Sequence, residues 1–500
     1  MALALVERNV LSNFLARIWN GLLSIALIPI YIEYIGVEAY GMVGIFISLQ
    51  TLLLLLDLGL GATISREFAR FSGVKEKAEY LIDLTRTLEI VYLATGILIA
   101  LVMVNFAAVI TNYWLSPEGL SPETVTTAIK LIGLTIAVQW PSALYSGGMS
   151  GLQTQVRLSI LVSAFATLRY GGAIIVLHFL SPTIDAFFGW QLIVGILQTL
   201  TLRYNLMQVL PPCEKSGSIQ LRILVPLWRF ATGMLGISIL STLITQLDKV
   251  ILSKLLSLEE FGYYTIATAV ASSLYMAVAP TFNAFYPKFS KLYQEFNTIS
   301  IEEGFHQGNQ ILAVILFPLM WLFVFYSPDI LLAWTGKPDL ASIVAFLVVP
   351  LVIGNTINGM MNIPYALQLG AGWTRIPLLT NLVGLAFLIP ALLHVSTKYG
   401  AIGAAYVWLL FNIIYMIITI VVMHRLVSKI VTYRWLVSDI GQPLAASFIF
   451  FGFSYFFVDN HVNIFTATLL TSLSFICAVI SAPLVKSIFT GLSIRTTSRP

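Results

Sequence analysis

Two charged residues stand where an apolar chain has no ordinary use for them. Asp57 closes a run of five leucines, Leu52–Leu56, within LLLLLDLGLGATISREFAR (residues 52–70), and Arg169 sits deep in the apolar segment 157–180. An ionisable group at mid-membrane costs at least about 2.5–3.5 kcal/mol unless it faces protein or water, so each is a functional candidate. A carboxylate at Asp57 suits one of two jobs: carrying a coupling ion, Na+ or H+, or pairing locally at a helix end. A guanidinium at Arg169 suits bidentate capture of phosphate in a cavity, or a structural ion pair for which Asp57 is the available partner. At 1.5 Å per residue, Arg169 is about 18 Å from the inner end of its segment, too far to snorkel easily.

Lesser polar groups recur at helical spacing. Asn13, Arg17 and Asn20 fall at i, i+4 and i+7 and so share one face. Arg17 either snorkels to the inner surface or belongs to a stripe lining a cavity. Arg229 holds the same position in the seventh apolar segment. Asn355, Asn358 and Asn362, followed by Pro364, mark either a cavity wall or a helix–helix hydrogen-bonded seam. Intramembrane acids are scarce apart from Asp57: Asp248 and Lys249 read as a local, solvated pair at a segment's outer end. No catalytic residue is expected. A GxxxxGK[ST] loop and an HExxH motif are missing, the five histidines are scattered, and the outer loops carry no paired carboxylates. No enzyme activity, cofactor, metal or nucleic-acid partner is therefore expected, beyond the coupling ion.

The elements that must position these groups are membrane helices. Of 500 residues, 58% are hydrophobic and 10% charged, with a mean hydropathy of +0.89, whereas soluble domains carry about 25% charged residues. Continuous apolar runs exclude a β-barrel and predict an all-α polytopic membrane protein. Fourteen spans are expected: 12–34, 40–64, 87–111, 128–151, 157–180, 185–207, 224–250, 261–285, 308–328, 341–367, 376–395, 401–424, 435–457 and 463–485. With the N-terminus cytoplasmic, Lys130, Lys249, Lys254, Lys337 and Lys398 fall outside and Arg169 within a span. The remaining 21 of the 27 basic residues fall inside. The positive-inside rule thus places both termini in the cytoplasm. Glu7 and Arg8 argue against a cleavable signal peptide, and Cys213 and Cys477 offer no disulfide framework.

The polar stretch PPCEKSGS (211–218) divides the chain. The expected organisation is an N-lobe at 1–210 (helices 1–6), a cytoplasmic linker at 211–222, a C-lobe at 223–425 (helices 7–12), and 426–500 holding helices 13 and 14 and a tail. The halves echo each other. Glu38-Ala39-Tyr40-Gly41 and Glu259-Glu260-Phe261-Gly262 are offset by 221 residues, and Gly151-Leu152-Gln153 and Ala366-Leu367-Gln368 by 215. Six-helix repeats are parallel, an arrangement used by alternating-access transporters.

Several motifs carry a family resemblance. They are Ile35-Gly36-Val37-Glu38-Ala39-Tyr40-Gly41, Leu56-Asp57-Leu58-Gly59-Leu60-Gly61 with Arg66, Gln246-Leu247-Asp248-Lys249-Val250-Ile251-Leu252, and Phe261-Gly262-Tyr263-Tyr264. In their order and spacing the chain resembles the polysaccharide-flippase branch of the multidrug/oligosaccharidyl-lipid/polysaccharide (MOP) exporter superfamily. The resemblance implies two six-helix lobes around a V-shaped cavity, plus two extra C-terminal helices. It also implies translocation of a polyprenyl-diphosphate-linked oligosaccharide, for O-antigen, capsule or related glycans, across a bacterial inner membrane. Membrane lipid and glycan polymerase or assembly proteins are the implied partners. The competing expectations are a Na+- or H+-coupled multidrug-type antiporter, which would favour an acid-rich site, and a membrane glycosyl polymerase.

Overall fold

The computed structural model describes residues 2–57, 59–71, 78–210, 218–220, 222, 224–426, 434–457 and 462–485, with only the backbone described at a few of them, notably 224–238. All regular structure among them is helical. The chain divides into two compact units, Met1–Gly262 and Tyr263–Pro500. The linker stretch 211–217 lies outside the described residues.

In the first unit the helices are α1 (Ala2–Ala26), α2 (Ile28–Leu53), α3 (Leu60–Phe71), α4 (Ala78–Tyr113), α5 (Pro122–Gln139), α6 (Ser142–Gly151), α7 (Gln155–Phe179), α8 (Ile184–Val209) and α9 (Leu224–Leu255). Then α10 (Leu258–Ser272) crosses the boundary between the units. Helix starts follow local chemistry. Ser121 and Thr183 accept the backbone N–H of Thr124 and Ala186, and Pro122 takes the first turn, where its missing N–H is harmless. Within this unit α4 packs on α5, α5 on α8, α3 on α6, α1 on α7 and α2 on α9.

The second unit holds α11 (Tyr275–Gln294), α12 (Thr298–Thr335), α13 (Pro338–Met360), α14 (Asn362–Gly370), α15 (Arg375–Leu426), a π-helical turn Trp435–Gly441, α16 (Gln442–Phe457) and α17 (Ile464–Ser481). Here α12 packs on α13, α16 and α17, α13 on α15, and α11 on α14. Large apolar side chains remain exposed on many helices, for example Ile97 at 61%, Phe346 at 72% and Phe387 at 73%. On a helix this outward apolar surface belongs in lipid.

Among the described residues nine helices are long and apolar enough to cross a membrane, ten if the bent pair α10 and α11 counts as one span. Each of the fourteen expected segments falls on helix. Two joins account for part of the difference: α2 and α15 each unite two predicted segments through a glycine with positive φ, Gly36 at 80° and Gly400 at 58°. Such conformations are nearly free to glycine and strained for other residues. The helices on 224–250 and 463–485 are not among the ten, Phe465–Ser481 being a shorter apolar helix.

Several predicted spans are broken rather than continuous. Leu27 interrupts 12–34. Four further breaks fall in 40–64 between Leu53 and Leu60, in 128–151 at Trp140–Pro141, in 261–285 at Ser273–Leu274, and in 341–367 at Met361. The helices also run beyond the apolar windows, α4 starting at Ala78 and α12 at Thr298. Hydropathy stops at the first charges, whereas backbone hydrogen bonding continues past the lipid.

The breaks recur in the two halves at nearly the same spacing as the Tyr40-Gly41 and Phe261-Gly262 pair. The end of α6 sharpens this. Gln153 just beyond it has φ 60°, and the matching left-handed residue beyond α14 is Gly372 at 78°. The expected alignment of Gln153 with Gln368 is therefore out by one helical turn, since Gln368 lies buried inside α14.

Candidate functional site

The leucine run ends α2 at Leu53, and Leu54–Asp57 turns as a 3-10 helix before Gly59, whose φ of 76° lets the chain restart as α3. Asp57 stands at that restart. One carboxylate oxygen accepts the Gly61 N–H at 3.0 Å and the other accepts the Tyr92 hydroxyl of α4. A carboxylate before a helix N-terminus is favoured by the exposed amides and the helix dipole. Gly147 of α6 is needed for the packing there: a Cβ on it would meet the Gly61 carbonyl at 2.8 Å. Small residues thus bring α3 and α6 into backbone contact.

Arg169 lies midway along α7, as its position in the sequence predicts, but Asp57 is not its partner. The guanidinium donates to two neutral amides, to Gln198 Oε1 of α8 at 2.6 Å and to Gln139 Oε1 of α5 at 3.2 Å. Gln139 Oε1 also accepts Gln50 Nε2 of α2 at 2.9 Å. Among the described residues no carboxylate pairs with Arg169. A cation held only by amide oxygens keeps its full charge for a further ligand.

Both groups face one cavity in the first unit. Its volume, by the space open to water, is about 370 Å³, and its polar lining includes Asn20, Gln50, Asp57, Gln139, Arg169 and Gln198. Ser142 and Ser146 of α6 and Tyr170 of α7 complete the polar wall. The break at Trp140–Pro141 puts Gln139, Ser142 and Ser146 on it from two separate helices. The side-chain oxygen of Asn20 and the Gln139 amide nitrogen are buried and unbonded. Such groups are costly unless a ligand or water meets them.

The remaining sequence candidates are placed elsewhere. Asn13 accepts the Ser159 hydroxyl at 2.9 Å, tying α1 to α7, and Arg17 is exposed on α1. The Arg229 side chain lies outside the described residues. In the second unit Asn355 accepts the Trp408 indole N–H at 2.8 Å. Asn358 accepts the Tyr275 hydroxyl and donates to Asn412, each at 2.9 Å. Asn362 donates to the carbonyls of Asn358 and Gly359 at the helix break, beside the Met361 backbone N–H. These asparagines join helices to one another. Asp248 and Lys249 do pair, at 3.4 Å, but with side chains only 8% and 20% exposed, so the pair is buried rather than solvated.

Sequence reading missed Gln50, Gln139, Gln198 and Tyr92. The available signal was an amide within an apolar span, which carries the same desolvation argument as a charge at lower cost.

Comparison with known proteins extends the picture. Residues 34–344 match the model of a family described as polysaccharide biosynthesis protein. A Shigella flexneri protein assigned to O-antigen transport is 23% identical over 381 residues, covering 75% of this chain and 87% of that protein. Among solved structures, the lipid II flippase MurJ in an inward closed conformation superposes with a TM-score of 0.72 at 14% identity, covering 97% of this chain and 98% of the other. An inward-facing multidrug resistance MATE family transporter of the MOP superfamily gives 0.68 at 14% identity over 82% and 95%. A MOP superfamily transporter from Pyrococcus furiosus gives 0.61 at 15% identity over 85% and 96%. At these identities the structural likeness defines the fold, an all-α multi-pass membrane fold of the MOP type, while the family match covers more than half of the chain: the protein belongs to the polysaccharide biosynthesis protein family.

Proposed function

We propose that the protein is a flippase for lipid-linked glycans. It carries a polyprenyl-diphosphate-linked repeat unit, of an O-antigen, capsule or exopolysaccharide, from the cytoplasmic to the outer leaflet by alternating access. One observation carries the reading: the half-buried Arg169 guanidinium has no carboxylate partner among the described residues and lines a water-accessible polar cavity. Guanidinium matches phosphate oxygens bidentately, and the surrounding amides offer hydrogen bonds to sugar hydroxyls. Small-ligand sites run from about 300 to 1,000 Å³, so this cavity suits the phosphate end of such a lipid rather than a whole oligosaccharide. The S. flexneri relative and the MurJ-like fold support the same class of substrate.

In this reading Asn20 and Arg169 contact the head group, Arg17 and Arg229 add positive charge at the basic ends of the first and seventh spans, and Asp57 is the candidate site for a coupling Na+ or H+. The lobes are residues 1–210 and 223–425, joined by a cytoplasmic linker at 211–222. The setting is a bacterial inner membrane with both termini cytoplasmic, and a glycan polymerase is the natural downstream partner. A second reading, an ion-coupled antiporter, draws on Asp57 and on the MATE-like fold.

The deciding experiment uses proteoliposomes with an asymmetrically placed polyprenyl-diphosphate oligosaccharide. Protein-dependent appearance of glycan in the opposite leaflet supports the flippase. Cation export without lipid movement supports the antiporter instead.

A further inference from the structure

The first unit carries a second recess, chemically unlike the polar cavity. It is a groove of about 570 Å³ between α4, α5 and α8, lined by Leu93, Ile97 and Ala100 of α4, Leu134 of α5, and Ile196 and Leu200 of α8. Its floor is closely packed and apolar for a local reason. A Cβ on Gly96 would meet the Ala137 carbonyl at 2.7 Å, so α4 and α5 touch backbone to backbone there. The Val138 carbonyl, beside the break at Pro141, is met by the Thr199 hydroxyl at 2.9 Å. With its backbone groups satisfied, the floor tolerates hydrocarbon. The rim is exposed, with Ile97 at 61% and Leu200 at 58%.

One end of the groove is charged. Arg203 of α8 donates through Nε to Glu89 of α4 at 2.7 Å, and Tyr145 donates to the same carboxylate oxygen at 3.2 Å. Glu89 is therefore neutralised in place, its side chain 8% exposed, while that of Arg203 is 43% exposed. A guanidinium has five N–H donors, and this pairing engages one nitrogen. Arg86, also exposed, stands one turn before Ile90 on the face of α4 that continues through Leu93 and Ile97. From Glu89 to Ala100 the helix rises about 16 Å, close to half of the roughly 30 Å hydrocarbon core.

We propose that this groove is a binding site for one anionic phospholipid of the leaflet at the Arg203 end, its acyl chain lying along α4 and α8 and its phosphate held by Arg203 with Arg86. The length fits a single leaflet's chain, and the charge at the mouth selects an anionic head. The site is separate from the polar cavity and does not depend on what the protein transports.

The test is native mass spectrometry of the delipidated full chain titrated with phosphatidylglycerol or with phosphatidylcholine of the same acyl chains. The wild type is expected to hold one phosphatidylglycerol about tenfold more tightly than phosphatidylcholine, the scale of one charge-assisted hydrogen bond. Arg86→Gln and the double variant Arg203→Gln with Glu89→Gln, which strands no buried carboxylate, should erase that preference. Ala100→Trp fills the groove away from the charges and should weaken both lipids without lowering the melting temperature. Equal affinity of the wild type for both lipids overturns the proposal. So does unchanged binding by a folded Ala100→Trp protein. Stronger binding of a polyprenyl phosphate than of phosphatidylglycerol, lost in Ala100→Trp, would instead assign the groove to a polyprenyl chain.

Discussion

Replacing Arg169 by alanine separates a ligand-binding cation from a structural one. The side chain makes two hydrogen bonds, to Gln198 at 2.6 Å and Gln139 at 3.2 Å. Hydrogen bonds to charged groups contribute about 1.5–3 kcal/mol each in dry surroundings. Here the acceptors border a cavity that admits water, which can replace the lost donors. Removing a cation with no carboxylate partner also relieves its desolvation cost. These opposing effects leave a net stability loss of about 1–2 kcal/mol at most. Phosphate binding has no such compensation. Loss of a bidentate guanidinium contact costs about 2–3 kcal/mol, or about 30–150-fold in affinity. The assay is transbilayer movement of a polyprenyl-diphosphate oligosaccharide in proteoliposomes, alongside thermal melting of the same preparations. Transport should collapse while melting barely moves, and Arg169→Lys should recover only part of it, because lysine lacks the planar fork. A variant that transports normally, or one that unfolds in proportion to its lost transport, refutes the argument.

Other substitutions have equally definite outcomes. Asp57→Asn keeps one acceptor, for the Gly61 N–H, and turns an amide N–H toward the Tyr92 hydroxyl, which can accept it, but it removes the charge at the start of α3, so stability should fall by only about 0.5–1 kcal/mol; if Asp57 carries the coupling ion, transport should lose its dependence on the ion gradient, read by collapsing that gradient with an ionophore. Gly262→Ala forces a Cβ to 2.3 Å from the Val37 carbonyl and should destabilise by about 1–3 kcal/mol. Gly189→Ala, where a Cβ meets nothing within 4 Å, should be neutral or stabilising by up to about 1 kcal/mol in the same melting assay. Asp439→Ala leaves fully buried His306 and Gln310 without the carboxylate they contact at 2.5 and 2.8 Å, and should cost about 3–5 kcal/mol, seen as a lower melting temperature.

Much of the architecture was legible because lipid imposes a simple rule: long apolar runs must be helical. That rule located every expected segment. It missed the breaks, because a helix interrupted at Trp140–Pro141 or Met361 is as apolar as an intact one. The site was legible only in part. Charge betrayed Asp57 and Arg169, since an ionisable residue in an apolar span is conspicuous by type alone. Their partners were not, because Tyr92 and Gln198 come from other helices and only packing decides which residues meet. Asn358 shows the converse: its polarity was visible, but its commitment to Tyr275 and Asn412 depends on helices distant in sequence.

The meeting of the two aromatic-glycine motifs has a consequence for how this sequence can vary. A Cβ on Gly41 would strike the Leu258 carbonyl at 2.4 Å, and one on Gly262 the Val37 carbonyl at 2.3 Å. Residues 37 and 258, like 41 and 262, are counterparts in the repeat, so the contact is reciprocal, as at a two-fold interface. Each glycine is opposed first by backbone, and a carbonyl oxygen is present whatever side chain its residue bears. No substitution in one copy can make room for a larger residue in the other. The two positions are thus expected to stay fixed across related sequences rather than to change in step, and a contact joining the duplicated motifs would leave no trace in correlated substitutions.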